Sequence, residues 1–254
     1  MNEKFVIKEK ILKIAAITDR GQRLNNLIAP VYQDKILEMK GLIKDISSFN
    51  NEISEEILSG EWELIFSNVE LFRSSPFFLA IEKAFDNKLK SDLFFKLHQL
   101  QVGSFGLSTI GRIAQKIDFN KKEFISTFDT TIFGLTTIPI FGWFKLLPTF
   151  GGRVITLASQ LTLKGSYLEM TLERTKVSEV NGLDRIPIFS SLLMDKWYPV
   201  KNVWGKLPWN KEEPKFKVNI LYVDTDLRIM EDMYGAVFIY IKSKNFLSDL
   251  ELDQ

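Results

Sequence analysis

Residues 60–85, GEWELIFSNVELFRSSPFFLAIEKAF, decide how this chain folds. Trp62, Leu64 and Phe66 alternate with Glu61 and Glu63, the period of two that marks a half-buried strand. The tripeptide Gly60-Glu61-Trp62 opens it. Ser74-Ser75-Pro76 is then a helix start with proline at an early position, and Phe77, Phe78, Ile81, Ala84 and Phe85 make one apolar face within a helical reading of 71–100. Strand signals resume downstream. Ile113, Gln115, Ile117 and Phe119 alternate, Asn120-Lys121-Lys122 turns the chain, and Phe124, Ser126, Phe128 and Thr130 return. Ile155, Leu157, Ser159, Leu161 and Leu163 form a further strand, followed by a turn at Lys164-Gly165-Ser166 and by Leu168, Met170 and Leu172. Residues 216–223 and 236–242 are the last pair. Short turns imply antiparallel pairing, and about eight such strands are enough to enclose one small ligand.

Two helices are expected ahead of the first strand. Ile7, Ile11, Ile14 and Ala15 share one face, and Thr18-Asp19-Arg20-Gly21 stops that helix. A second helix is expected over 22–48, with a break near Pro30 and an apolar stripe of Ile36, Met39, Ile43 and Ile46.

Three blocks carry a resemblance. AAITDRG (15–21), the block at 60–85, and VNILYVDTDLRI (218–229) followed by GAVFIYIK (235–242) occur in the order of the plastid lipid-associated protein family, also called PAP/fibrillin. The chain resembles that family in these blocks. It departs from it after Ile229, where Met230 to Gly235 replace the family's Arg-Gly, and residues 86–215 add little. The resemblance implies an α+β fold: an antiparallel lipocalin-like β-barrel with a helical insert after its first strand. It divides the chain into an N-terminal helical segment, 1–58, packed on a barrel domain, 59–254. As in lipocalins, Gly60 and Trp62 would form the floor, with Arg228 stacked on the indole. The other reading of Arg228 is a local pair with Asp224 or Asp226.

The function implied is non-enzymatic binding of an isoprenoid, carotenoid, quinone or acyl lipid, at a thylakoid membrane or a plastoglobule in photosynthesis. The setting would be the plastid stroma or a cyanobacterial cytoplasm. Trp62, Phe66, Phe128, Leu161, Met170 and Tyr222 are expected to line the cup, with the hydroxyls of Ser126, Ser159 and Tyr222 orienting a polar head. Two rivals remain: a coat or scaffold on lipid surfaces whose barrel is filled by its own side chains, and an accessory factor in isoprenoid metabolism.

Two aromatic stretches are candidates for a lipid surface. Residues 130–152 hold a single charge, Lys145, and a loop bearing Phe141, Trp143 and Phe144; this loop either dips into lipid or folds over the barrel mouth. Glycines and prolines there argue against a transmembrane helix. In 196–214, Trp197, Tyr198, Trp204 and Trp209 interleave with lysines, a pattern suited to a headgroup layer or to an ordered packed loop.

Composition narrows the classes. The 254 residues are 45% hydrophobic and 26% charged, with net charge +1, so no field favours nucleic acid. Phenylalanine, at 21 residues, outnumbers tyrosine at 6 and tryptophan at 5, which points to a thick core, an apolar cavity or a lipid-facing surface. Cysteine is absent, so disulfides and thiolate metal sites are excluded, and His98, the single histidine, reads as a packing or surface residue around which no triad or HExxH site is expected. No cofactor or metal is expected, and the pairs Asp224/Asp226 and Glu231/Asp232 read as solvated turn charges. The start MNEKFVIKEK lacks the apolar stretch of a secretory signal, so a secreted protein is not expected.

Overall fold

Alternating apolar residues at both ends of the chain produce strands that find each other across most of its length. In the computed structural model, residues 3–22, 33–49, 52–85, 87–104, 107–133, 135–136, 145–146, 150–181, 196–200, 204 and 213–243 are described. The elements are α1 (Glu3–Ile17), α2 (Gln33–Ser47), α3 (Glu55–Leu58), β1 (Gly60–Ser67), a 3-10 turn (Leu71–Ser74), α4 (Pro76–Ala84) and α5 (Lys88–Ser104). Then come β2 (Leu107–Asp118), β3 (Glu123–Phe133), β4 (Leu135–Thr136), β5 (Lys145–Leu146), β6 (Phe150–Lys164) and β7 (Tyr167–Asn181). The chain continues with β8 (Tyr198–Pro199), β9 (Lys215–Val223), β10 (Leu227–Glu231) and β11 (Val237–Ser243).

The fold is α+β. A nine-stranded sheet runs β6-β3-β2-β1-β11-β10-β9-β7-β8, every pair antiparallel, and the β6–β7 pairing closes it into a ring that is not a regular barrel. The helical reading of 71–100 resolves into a 3-10 turn and two helices. Pro76 sits in the first turn of α4, where its missing N–H costs nothing. Of the helix expected over 22–48, α2 is the described part, Gln33–Ser47; residues 23–32, with Pro30, lie outside the described residues.

Two apolar clusters occupy opposite faces of the sheet. One draws side chains from strands all round the ring, including Trp62, Ile113, Phe124, Ala158, Met170, Val218, Met230 and Tyr240, and is therefore the interior. The helical insert packs into it through Leu71, Phe78, Leu79, Ile81 and Phe95. Phe72, Phe78 and Phe95 form a tilted aromatic group with centroids 4.8–6.1 Å apart. The second cluster joins Ile7, Ile11, Ile14, Met39, Ile43 and Ile46 of α1 and α2 to Ile229 and Ile239, so the N-terminal helices cover the outside of the ring.

Three expected cup residues lie elsewhere, each at a break in the strand period. In β1 the register jumps from Leu64↔Tyr240 to Phe66↔Ile239, so Ile65 is a bulge residue and Phe66 turns outward into the helical cluster. In β9 it jumps from Tyr222 to Ile220, and Tyr222 likewise faces α1. In β6, Ser159 follows the interior Ala158 and so takes the outer face; Gln160, at φ 54, then shifts the period and returns Leu161 inward. Trp62, Ser126, Phe128, Leu161 and Met170 remain on the inner face.

Candidate functional site

The ring floor is built around the first strand's indole. Trp62 is fully buried, and its Nε1–H donates to the carbonyl of Leu58 at 2.8 Å. Gly60, at φ +115, lets the chain pass beneath: a Cβ there would lie 3.0 Å from Lys242 Cε. The Lys242 ammonium stands 4.4 Å from the Trp62 ring centre and donates to the carbonyls of Ile57 (3.1 Å) and Ser59. Arg228 lies 5.0 Å from the same ring and 4.2 Å from that of Tyr240.

Arg228 therefore stacks on Trp62, and among the described residues its polar partner is Gln115 rather than Asp224 or Asp226. Its Nη2 donates to Gln115 Oε1, and Gln115 Nε2 donates to the Tyr240 hydroxyl (2.9 Å) and the Ser74 carbonyl (3.2 Å). Burial lowers the guanidinium to about 10, against a smaller upward pull from Tyr240, so it stays charged at neutral pH. Burial raises the Tyr240 phenol to about 12, and burial followed by the nearby Arg228 charge lowers Lys242.

In each acidic pair one member departs from the solvated turn expected: Asp226 is exposed and Glu231 half-buried, whereas Asp224 and Asp232 are bonded into the fold. Asp224 accepts from Lys8 Nζ at 2.6 Å, from the Tyr222 hydroxyl, and from the amides of Asp226 and Leu227 at 3.0 Å each. Burial opposes its charge, but these bonds outweigh burial and hold the carboxyl well below its usual range. Asp224 thereby ties α1 to the β9–β10 turn.

Asp232 is buried and accepts from the amides of Tyr234 (2.9 Å) and Ala236 (2.8 Å). Facing it is Glu82 of α4, also buried, which accepts a hydrogen bond from Arg73 Nη2. Burial first, then the Asp232 charge, raises Glu82 to about 8 against the pull of Arg73. The folded chain thus holds a proton on Glu82 that the unfolded chain has released above about 4.5, so stability declines as pH rises between these values and levels off above about 8. Thermal melts from pH 5 to 9 check this: the native Tm falls across that window, and Glu82→Gln, which cannot ionise, flattens the slope. A native Tm that is constant or rises from pH 5 to 8 would refute it.

Beside a cleft of about 690 Å³ where α1 meets the β9–β10 turn, lined by Lys4, Lys8, Asp224 and Asp226 among others, two clefts hold side chains expected to touch a ligand. One, of about 640 Å³, lies between α2 and the outer face of the sheet, where Ile36, Met39, Ile43, Phe66, Leu221 and Val237 form an apolar bed. Lys40 and Lys44 stand on one side and Glu231 on the other. The other cleft, of about 490 Å³, lies at the β6–β7–β9 edge with Met170 and Phe216 at its base and Lys83, Lys164, Lys215 and Lys217 around it. Phe66 and Met170, both expected to touch a ligand, each line one of these clefts; neither cleft is the interior cup that the strand alternation predicts.

Of the expected lipid-surface residues, Trp204 is 5% exposed and belongs to the interior cluster, where its ring is removed from water. Phe141, Trp143, Phe144 and Trp209 lie outside the described residues. Trp197 covers Ile125, Ile155 and Leu157 on the outer face and is flanked by Arg174 at 4.4 Å and Lys176 at 5.0 Å. Among the described residues no helix is long and apolar enough to cross a membrane, and no three acidic or histidine side chains gather as metal ligands. No family model, curated protein or solved structure matches the chain.

Proposed function

We propose that this protein binds a hydrophobic small molecule without transforming it, and that the cleft between α2 and the outer sheet face is where it does so. The carrying observation is the size and lining of that cleft: about 640 Å³ is the volume of a small-molecule site, and six apolar side chains form its bed. Burying a ligand's apolar surface there stabilises the complex by about 25 cal/mol per Å². Lys40 and Lys44 suit a ligand with an acceptor or anionic end. An acyl lipid or an isoprenoid such as a quinone or carotenoid meets this description. The Gly60–Trp62–Arg228 floor supports a lipocalin-like reading of the ring, and the three sequence blocks support the PAP/fibrillin one. Peripheral association with a photosynthetic membrane or lipid droplet belongs to the same proposal.

The coat reading keeps one specific observation in its favour. The ring interior is occupied by the protein's own side chains, notably Phe78, Leu79, Ile81 and Phe95 of the insert. A single experiment separates the readings. The fluorophore N-phenyl-1-naphthylamine is titrated into the protein, and flotation on phosphatidylcholine–phosphatidylglycerol vesicles is run in parallel. The expected result is saturable fluorescence enhancement, weakened at least about tenfold by Ile36→Glu, which places a charge on the half-buried edge of the bed. Flotation without saturable uptake favours the coat, and uptake untouched by Ile36→Glu removes this cleft from the proposal.

A further inference from the structure

The interior face carries a polar row that the core does not need. Trp62 pairs across strands with Gln115, Gln115 with Ser126, and Ser126 with Thr156, so these side chains follow one another round the inner wall. Gln115, Ser126, Thr156 and Arg228 are each 1% exposed or less. Within this row the hydrogen-bonding is incomplete. Arg228 Nε and Nη1 and the Ser126 hydroxyl find no partner among the described residues. Ser75, which follows the Gln115-bonded Ser74 in the chain, is also buried with an unpartnered hydroxyl and does not cap α4.

Buried donors are ordinarily satisfied, and a buried charge is ordinarily matched by an opposite one. Arg228 meets neither rule. The rings of Trp62 and Tyr240 attract its charge from their faces, but in-plane N–H groups require an acceptor that a ring face does not replace. Gln115 supplies one neutral oxygen. No described carboxylate pairs with the guanidinium, and a group with acceptor oxygens would satisfy its two free donors.

We propose that Arg228, with Gln115 bonded to it and Ser126 cross-strand from Gln115, forms an internal carboxylate-binding site on the ring floor. A carboxylate presents two oxygens to a guanidinium and can also accept from a serine hydroxyl. Because Phe78, Leu79, Ile81 and Phe95 fill the ring interior, the carboxylate is that of a small free acid rather than the head of an acyl chain. The site is separate from the cleft beneath α2, because the two lie on opposite faces of the sheet, and it does not rest on the function proposed for that cleft.

The test uses the intact protein at pH 7, following Tm and calorimetric heat with sodium formate, sodium octanoate and, at matched ionic strength, sodium chloride. The expected result is a saturable rise in Tm with carboxylate, reached at concentrations at least about tenfold below any chloride effect, and lost in Arg228→Gln. Formate binding at least as tightly as octanoate is expected; octanoate binding at least about tenfold tighter than formate overturns the small-acid assignment. Ser126→Ala, which deletes only an unpartnered hydroxyl, is expected to weaken binding several-fold while the fold is kept, and it serves if Arg228→Gln fails to fold. Identical responses to all three salts in the native protein mean that water alone serves the guanidinium, and overturn the site. A carboxylate response retained by Arg228→Gln overturns it equally. Ile36→Glu leaves the carboxylate response intact, so failure of one site is distinguishable from failure of the other.

Discussion

Trp62→Ala is expected to destabilise the protein by about 3–5 kcal/mol, the range for deleting a large buried aromatic side chain. The indole is fully buried and stands where three elements meet. Its N–H holds the Leu58 carbonyl at the end of α3, its ring stands beside the Lys242 ammonium, and Arg228 stacks on it from within. Truncation leaves a cavity on the floor, a bonded carbonyl without its donor, and a buried guanidinium with one aromatic neighbour instead of two. Trp62→Phe separates these contributions. It keeps an aromatic face and most of the volume but loses the N–H, so about 1–3 kcal/mol is expected from the unsatisfied Leu58 carbonyl and the smaller ring. Urea denaturation of both variants, read as the shift in midpoint at constant slope, checks the pair. A loss under about 1 kcal/mol for Trp62→Ala would show that the floor does not depend on this side chain.

The strand and helix plan is legible in the chain because two periodicities are strong. Alternation at 60–64, 113–119 and 216–220 places those residues on the faces that the sheet uses, and the spacing of Ile7, Ile11 and Ile14 orients α1 correctly. The errors in facing share one cause. Phe66, Ser159 and Tyr222 all follow or adjoin a local break in register, and one inserted residue reverses every side chain beyond it. A bulge leaves no apolar signature, so alternation alone carries Phe66 and Tyr222 inward when the wall has already turned them toward α1 and α2. The buried acids are hidden for a different reason. Asp232 sits in a sequence that resembles an exposed turn, and only the arrival of α4 with Glu82 and Arg73 takes it out of water. Arg228 is legible as a stacking partner of Trp62, but its missing acceptor is not, since that depends on what every neighbouring strand fails to provide.

Gly21→Ala is expected to cost roughly 3–5 kcal/mol, an effect of the rare size that marks a specific steric conflict. Asp19, Arg20 and Gly21 all have positive φ, at 49°, 57° and 86°. Such backbone persists only when surrounding bonds determine it. Here the Arg20 N–H donates to the Ala15 carbonyl at 2.8 Å, and the Gly21 N–H donates to Thr18 Oγ1 at 3.1 Å. The Arg20 guanidinium reaches the carbonyls of Ile110 and Gly111 on β2, and the Ser67 N–H donates to the Arg20 carbonyl at 3.0 Å. The turn thus joins α1 to the ends of β1 and β2. A Cβ on Gly21 would lie 2.0 Å from the Ser67 carbonyl oxygen, a backbone atom that cannot rotate away. To admit it, β1 and the turn must separate, breaking the Ser67–Arg20 bond and loosening the helical layer on the outer face. Gly41→Ala is the internal control. Gly41 lies within α2 with nothing within 4 Å of its added Cβ, so alanine is expected to stabilise by about 0.5–1 kcal/mol through helix propensity. Opposite signs at the two glycines, measured in the same denaturation series, are the expected outcome. A Gly21→Ala variant as stable as the native chain would mean that α1 is not held to the sheet by this turn.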